Sequence, residues 1–181
     1  MNFLRKSLYP LTLIYDIATR VRNAAYDAQW LKQKQCKVPT IVVGNLITGG
    51  SGKTPMIAYL LDNFSNHFSL AVLSRGYKRK SSGFVLANQD SSMKSLGDET
   101  YLLSQKFPMT HFGVCKNRLK GVEQLLSKFP TIDGVLLDDG YQHRQLKSSF
   151  QILLTPYHKP WFKDCVLPTG NLRESAKGKN R

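Results

Sequence analysis

The chain has 181 residues, 41% of them hydrophobic, so it is long enough to bury a core and is expected to fold as one domain rather than remain disordered. Its 26 Lys and Arg residues against 12 Asp and Glu give a formal net charge of +14, which indicates an anionic partner: nucleotide phosphates, nucleic acid or an acidic membrane surface. The 3 cysteines are widely spaced and belong to no CxxC motif, which favours reduced thiols over a disulfide framework or a zinc site.

The first 35 residues combine apolar residues at helical spacing with basic residues. This pattern predicts one or two amphipathic helices, interrupted near Pro10. Two interpretations are open, a helix lying on an anionic membrane surface or a helix packed on the domain with a solvated basic face. The apolar positions are Leu4, Leu8, Leu11, Ile14, Ile17 and Val21, and the basic ones are Arg5, Lys6, Arg20, Arg22, Lys32 and Lys34.

A membrane-spanning helix and a signal peptide are both unexpected at this end. The longest apolar run near the start, "LYPLTLIY", has about eight residues, well short of the roughly 20 that cross a bilayer. Charged residues return at Asp16, Arg20 and Arg22 without a convincing cleavage site.

From Thr40 onward, short β-branched runs alternate with helical patterns. This alternation is typical of βαβ units and predicts an α/β fold like that of P-loop NTPases, with a mostly parallel sheet and flanking helices. Such sheets bind ligands beyond the carboxyl ends of their strands, so we expect functional residues there. Strand candidates are 40–44, 70–74, 84–87, 111–115, 134–138 and 151–155; helix candidates are 54–65, 97–107 and 116–129; residues 78–83 and 88–95 are predicted loops.

A glycine-rich turn and a Lys-Thr pair follow the first of these strands, a context that indicates a phosphate-binding loop. Lys53 is expected to reach the β- and γ-phosphates of a nucleotide, and the Thr54 hydroxyl to hold Mg²⁺. The strict G-x-x-x-x-G-K-[ST] motif is not met, because Ile47 replaces its first glycine. The expected nucleotide-binding residues are Ile47, Thr48, Gly49, Gly50, Ser51, Gly52, Lys53 and Thr54.

An apolar strand ending in acidic residues is the second element that a P-loop enzyme requires. "GVLLDDGYQH" provides it, and Asp138 or Asp139 is expected to bind Mg²⁺ directly or through water. Read alone, an apolar run followed by Asp-Asp-Gly is more often a strand entering a turn, and its pairing with the phosphate loop favours the functional interpretation.

Two further polar clusters each have two interpretations. Arg75 and Arg79 suit anionic groups or form a solvated basic turn. Asp98 and Glu99 cap a helix, or Asp98 orients or deprotonates a hydroxyl that accepts a phosphoryl group.

Five motifs together resemble the tetraacyldisaccharide 4'-kinase family, which phosphorylates a lipid A precursor. From about Val38 onward, "VGNLITGGSGKTP", "LSRGYKR", "GDE", "LLDDGYQHR" and "LPTGNLRE" occur in the order and approximate spacing of that family. The combination of "GGSGKTP" with "DDGYQHR" is highly specific, because generic P-loop ATPases do not carry both.

The resemblance implies transfer of the γ-phosphoryl group of ATP, with Mg²⁺, to the 4'-hydroxyl of a tetraacylated glucosamine disaccharide 1-phosphate. It implies a peripheral position on the anionic cytoplasmic face of the bacterial inner membrane, with no nucleic acid as partner. By motif matching, Asp98 and Lys53 are catalytic, and Thr54, Asp138, Asp139 and Glu99 form the metal site. Residues expected near the substrate or the phosphates are Arg75, Tyr77, Gln142, His143 and Arg173.

The resemblance also divides the chain into an amphipathic segment, 1–35, and a P-loop kinase lobe, 38–181. The family continues into a C-terminal lobe, so this chain resembles the P-loop half, and slow transfer is expected without the partner lobe. Thr169 and Asn171 stand where the family usually has Ala and Pro, which leaves the conformation of that loop open.

Two other functions remain open. A P-loop ATPase of the partitioning or metal-carrier type has a similar loop, but it usually carries Lys before the paired glycines, where this chain has Thr48. A basic nucleic-acid-binding module fits the charge, but the aromatic residues are not arrayed on one strand face and no base-reading motif occurs.

Overall fold

The computed structural model describes residues 7–180 of the chain, which form two compact units. The first, the helical unit, contains residues 7–33, Asn45–Gly52 and 153–180. The second, the sheet unit, contains Lys34–Gly44 and Lys53–Ile152.

Helices and strands alternate along the chain, as the sequence predicts. The elements are α1 Tyr9–Asp27, β1 Lys34–Gln35, β2 Thr40–Asn45, α2 Lys53–Phe64, β3 Leu70–Ser74, β4 Val85–Leu86, α3 Met93–Leu96, α4 Asp98–Lys106, β5 His111–Val114, α5 Arg118–Lys128, β6 Gly134–Asp138, β7 Leu146–Lys147 and β8 Phe150–Leu154. Two short 3₁₀ helices follow, at Trp161–Lys163 and Ala176–Asn180.

Helix α1 confirms a helix in the N-terminal segment, and it begins at Tyr9, next to Pro10; the part of the prediction that concerns residues 1–6 lies outside the described residues. Pro10 lies in its first turn, where the N–H that proline lacks has no helical partner. Lys32 and Lys34 lie beyond the last helical residue, Asp27. The predicted positions Leu4, Arg5 and Lys6 lie outside the described residues.

The apolar face of α1 is exposed and a polar residue of the helix is buried. Ile14, Ile17 and Val21 are 65%, 60% and 62% exposed, whereas Thr12 is 5% exposed. A helix packed on a core normally shows the reverse distribution. Within residues 7–180, no helix has the length and hydropathy needed to cross a bilayer.

The six-stranded sheet has the order β4-β5-β3-β6-β2-β8. The pairs β2/β6, β3/β6 and β3/β5 are parallel, and the short β4 is antiparallel to β5. Strands β1 and β7 form a separate two-stranded parallel sheet. The predicted α/β fold with a mostly parallel sheet is confirmed, and because β3, β6 and β2 are adjacent, their carboxyl ends share one edge.

Strand β6 lies at the centre of the core. All of its residues are buried, because a parallel strand with helices on both faces presents apolar side chains in both directions. Helix α5 packs closely on the sheet, since a Cβ at Gly121 would lie 2.7 Å from a methyl carbon of Leu73. A side chain there would separate the helix from β3.

The predicted loop at 88–95 is partly wrong. Met93–Leu96 forms a single helical turn, which Ser92 and Ser95 stabilise as a capping box. Strands β1 and β7 are not predicted from the sequence; they are two residues long and depend on pairing with each other.

Candidate active site

The first half of the phosphate loop, in the helical unit, is held by backbone pairing. The N–H of Arg173 donates to the Leu46 carbonyl at 2.7 Å, and the N–H of Thr48 donates to the Asn171 carbonyl at 2.8 Å. Ile47 and Leu172 form the antiparallel bridge between these two bonds. Residues 46–48 are therefore fixed by residues 171–173, a contact that the motifs did not reveal.

The second half of the loop depends on glycine conformation. Gly49 and Gly52 have φ angles of +108° and +80°, in the left-handed region that only glycine adopts without strain. A Cβ at either position would meet no atom within 4 Å, so backbone geometry rather than packing requires these glycines. The Asn45 amide donates to the Ser51 hydroxyl at 2.7 Å and links the end of β2 to this turn.

In the sheet unit, Lys53 and Asp139 form an ion pair. Lys53 begins α2, and its Nζ lies 3.5 Å from Oδ1 of Asp139, with side chains 13% and 22% exposed. Asp139 follows β6 directly and has a φ of +52°, an uncommon conformation for a residue other than glycine. Such backbone conformations are concentrated at functional sites.

Asp138 is a buried carboxylate with unused hydrogen-bonding capacity. It ends β6, and its Oδ2 accepts a 3.2 Å hydrogen bond from the Ser74 hydroxyl at the end of β3. Its buried Oδ1 has no hydrogen-bond partner among the described residues. Burial and, to a smaller extent, the negative charges of Asp139 and Glu99 together raise the pKa of Asp138 to about 6.

Helix α4 brings a third carboxylate, that of Glu99, into electrostatic interaction with Asp138. Asp138, Asp139 and Glu99 are called the acidic group. The Thr54 hydroxyl donates to the carboxylate of Glu99, in the first turn of α4. Asp98, the residue before it, is exposed. Thr54, Glu99, Asp138 and Asp139 all belong to the sheet unit, and the metal site that they are predicted to form stays a prediction.

The chemistry of these donors fits Mg²⁺. Among residues 7–180, no group of three or more His, Cys, Asp or Glu side chains is placed so that it could hold a metal ion by itself. Mg²⁺ is usually held by one or two carboxylates together with waters and phosphate oxygens, so a complete protein cage is not needed. A divalent cation would relieve the repulsion that raises the pKa of Asp138 and would use its unpaired oxygen.

Arg118 is a buried charge that the sequence does not reveal. It is 1% exposed and donates to the carbonyls of Cys115 at 2.7 Å, Asp138 at 3.0 Å and Asp139 at 3.3 Å. Burial lowers its pKa to about 10, and the charge of Asp138 opposes this change. It is one basic residue in a predicted helix, so the sequence alone does not distinguish it from an arginine that is exposed to solvent.

The loops that follow β3 and precede α4 are in contact. A Cβ at Gly97 would lie 2.5 Å from the carbonyl oxygen of Tyr77, and Gly97 has a φ of +84°. Because Gly97 has no side chain, the "RGYKR" loop can approach it closely, next to Asp98.

The predicted substrate residues lie in different environments. Arg75 is exposed and Tyr77 is 72% exposed, whereas Arg79 donates to the carbonyls of Gly83 and Val114 and so stabilises its own loop. Gln142 and His143 follow the acidic pair, and His143 lines a cavity of about 350 Å³. Arg173 belongs to the helical unit.

Comparison with known proteins gives consistent matches along the whole chain. The family model for tetraacyldisaccharide-1-P 4'-kinase matches residues 4–181. The tetraacyldisaccharide 4'-kinase of Flavobacterium psychrophilum is 49% identical over 181 residues, which are 100% of this chain and 53% of the relative. That of Bacteroides thetaiotaomicron is 49% identical over 179 residues, 98% of this chain and 47% of the relative.

A solved structure shows the same architecture. The crystal structure of the "apo" form of LpxK from Aquifex aeolicus in complex with ATP superposes with a TM-score of 0.91 at 40% identity, covering 99% of this chain and 57% of that one. The chain spans about half the length of the curated relatives that it matches. The resemblance inferred from the motifs is confirmed: the chain belongs to the tetraacyldisaccharide-1-P 4'-kinase family.

Proposed function

We propose that the chain binds ATP and takes part in transferring its γ-phosphoryl group to the 4'-hydroxyl of a tetraacylated glucosamine disaccharide 1-phosphate. The observation that carries this proposal is the group formed by Lys53, Asp139 and Asp138. A helix-initiating lysine paired with one aspartate, next to a buried aspartate with an unpaired oxygen, is the arrangement that binds nucleotide phosphates and a cation. The names of the relatives supply the substrate class.

The phosphates of ATP need positive charge and N–H donors. Lys53 provides the charge, and its pairing with Asp139 places Nζ near the acidic group before any nucleotide binds. The glycine conformations at Gly49 and Gly52 allow the loop backbone to turn toward phosphate oxygens. Ile47, Thr48, Gly50 and Ser51 complete the proposed nucleotide-binding loop.

We propose that Thr54, Asp138, Asp139 and Glu99 would hold Mg²⁺, which would neutralise charge on the phosphates. In the free protein, the Thr54 hydroxyl donates to Glu99 and the Ser74 hydroxyl donates to Asp138. These hydrogen bonds orient the oxygens that would bind the cation.

Asp98 is the proposed general base. It accepts the proton of the 4'-hydroxyl while that oxygen attacks the γ-phosphorus, and the bond between the γ-phosphorus and the bridging oxygen of ADP breaks. Asp98 begins α4 next to Glu99, so the proposed base and a proposed metal ligand are adjacent on one rigid element. Arg75, Tyr77, Gln142, His143 and Arg173 are the proposed contacts to the lipid headgroup or the phosphates.

We also propose that residues 1–35 dock on an anionic membrane surface and that residues 38–181 form the kinase lobe. Ile14, Ile17 and Val21 expose an apolar face, and the net charge of +14 favours an anionic surface. A substrate with four acyl chains, as the names of the relatives specify, resides in such a surface. The proposed location is the cytoplasmic face of the bacterial inner membrane, with the protein bound peripherally.

A C-terminal lobe is the remaining proposed partner, because the relatives are about twice as long as the region they share with this chain. Phosphoryl transfer needs a closed site that excludes water, and a second lobe would supply that closure. A version extended to the length of the relatives should therefore turn over faster than residues 1–181 at saturating ATP. Equal turnover would refute this part of the proposal.

The function is tested by incubating the extended version with γ-labelled ATP and the disaccharide 1-phosphate in mixed micelles. The expected result is label in a bisphosphorylated lipid. Label released only as inorganic phosphate, whether or not lipid is present, would instead support a P-loop ATPase.

A further inference from the structure

We propose that Asp164 is a positioning residue for the phosphate loop and acts through Asn171. This inference rests on the proposed function, because the loop must bind nucleotide for its position to matter. All the contacts that carry it lie within the helical unit, and Asp164 belongs to none of the motifs.

The first step is the contact between Asn171 and the phosphate loop. The main-chain carbonyl of Asn171 accepts two hydrogen bonds from Thr48, from its N–H at 2.8 Å and from its hydroxyl at 3.3 Å. Thr48 immediately precedes Gly49, where the backbone turns into the left-handed region. The position of the Asn171 carbonyl therefore sets where the glycine turn begins.

The second step is the contact between Asp164 and Asn171. The Asn171 side-chain amide donates to Oδ2 of Asp164 at 2.8 Å, and its backbone N–H donates to Oδ1 at 3.3 Å. Oδ1 also accepts the N–H of Cys165 at 2.9 Å. Hydrogen bonds to an ionised carboxylate are stronger than neutral ones, so this half-buried side chain holds Asn171 on two sides.

The turn between Asp164 and Asn171 is tightly packed. A Cβ at Gly170 would lie 1.9 Å from the carbonyl oxygen of Cys165, so only glycine fits there. The same carbonyl accepts the N–H of Leu172 at 3.0 Å. Because the turn has no room to adjust, a change in the Asp164 carboxylate is expected to move Asn171 and, with it, Thr48.

The test uses ATP titrations of the chain and of three variants. Asp164→Asn replaces one acceptor oxygen with an NH₂ group, so either the Asn171 amide or the two backbone N–H groups lose their acceptor, and the Kd for ATP should rise about tenfold. The double variant Asp164→Asn with Asn171→Asp restores the side-chain hydrogen bond in the opposite direction and should return the Kd to within about threefold of wild type. Asp62→Asn, at an exposed carboxylate that pairs with Lys106, is the matched control and should leave the Kd unchanged.

Hydrogen exchange of the Thr48 amide provides a local readout that a general loss of stability would not reproduce. Faster exchange is expected in Asp164→Asn and normal exchange in the double variant. If Asp164→Asn fails to fold, Asn171→Ala removes the same side-chain hydrogen bond and should raise the Kd about threefold or more.

The outcomes separate this inference from the proposed function. ATP binding by wild type with an unchanged Kd in both Asp164→Asn and Asn171→Ala would overturn the positioning role and leave the proposed function intact. Failure of the double variant to recover ATP affinity and Thr48 protection would also overturn it. Failure of wild type to bind ATP would overturn both. Normal ATP binding without lipid phosphorylation would affect only the proposed function.

Discussion

Asp138 in the sheet unit and the Thr12–Thr169 pair in the helical unit are both buried, but their hydrogen bonding differs. Asp138 is 6% exposed, and its Oδ1 has no hydrogen-bond partner among residues 7–180. Thr12 and Thr169 are 5% and 2% exposed, and their hydroxyls are 2.6 Å apart and hydrogen-bonded. Oγ1 of Thr12 also accepts the N–H of Thr169 at 3.1 Å.

This difference in hydrogen bonding indicates that the two sets of buried polar side chains have different roles. A buried carboxylate with an unused acceptor is unfavourable in the free protein and suits a site that a cation or substrate completes. A pair of hydroxyls that satisfy each other stabilises a junction between segments distant in sequence. Substitutions in the acidic group should therefore change phosphoryl transfer, and substitutions in the hydroxyl pair should change stability.

The largest expected effect is at Lys53, the charged partner of the acidic group. Lys53→Ala should lower the rate of phosphoryl transfer by about 10³-fold or more, because the β- and γ-phosphates lose their fixed cation. The label-transfer assay measures it. Lys106→Ala, which removes an exposed lysine of α4 that pairs with Asp62, is the control. Normal activity of the Lys53 variant would remove the phosphate-loop assignment.

Asp98 should show an effect of similar or smaller size that is confined to the chemical step. Asp98→Asn is expected to reduce kcat by roughly 10²–10⁴-fold while leaving the affinity for ATP nearly intact, because a general base acts on the hydroxyl and not on the nucleotide. Asp90→Asn, in an exposed loop, is the control. A loss of ATP affinity in place of kcat would assign Asp98 to the metal site.

The raised pKa of Asp138 predicts how stability depends on pH. Since the folded-state pKa lies near 6, above the ordinary value of 3.8, the native state binds more protons than the unfolded state between these values. The free energy of unfolding of the metal-free chain should therefore fall by about 3 kcal/mol as pH rises from about 3 to 7.

Chemical denaturation across this pH range measures the fall, and Asp138→Asn should flatten the profile. An equally steep profile in Asp138→Asn would place the titrating group elsewhere.

The hydroxyl pair should affect stability alone. Thr12→Val removes the hydroxyl and leaves the buried N–H of Thr169 without its acceptor, so the free energy of unfolding should fall by about 1–3 kcal/mol. Thr12→Ser keeps the hydroxyl and should recover most of the loss. At a temperature where both variants are folded, kcat should equal that of wild type. A reduced kcat would contradict the assignment of the pair to structure.

The smallest effect concerns the exposed face of α1. Replacing Ile14 and Ile17 with Ser should weaken binding to anionic vesicles about tenfold, because less apolar surface enters the interface. Added salt should weaken wild-type binding as well, by screening the basic residues. Leu102→Ser, at a residue of α4 that is 58% exposed, is the control. Equal weakening by the control would remove α1 as the docking surface.

The fold could be predicted because each strand and helix has a local signal. The strand at Gly134–Asp138 is a short apolar run followed by Asp-Asp-Gly, and α5 has regular apolar spacing, so both were found within a residue or two. The two-residue strands β1 and β7 have no such signal, since each exists only through its partner.

The candidate site could be predicted only in part, for the same reason. Some of the site residues lie in motifs whose residue types indicate nucleotide and metal binding, namely Lys53, Thr54, Asp138 and Asp139. Arg118 acts through main-chain carbonyls, and Asp164 through the side-chain amide and backbone N–H of a residue seven positions away. Such contacts depend on the folded backbone, and the sequence alone does not reveal them.

The proposed function is transfer of the phosphoryl group of ATP to one hydroxyl of a lipid disaccharide. The most direct measurement is phosphorus–proton correlation NMR of the lipid formed by the extended version from ATP and the disaccharide 1-phosphate. The account predicts one new phosphate signal coupled to the proton at position 4', and loss of that signal in Lys53→Ala. A new phosphate coupled to any other ring proton, or an unmodified lipid after complete ATP turnover, would contradict it.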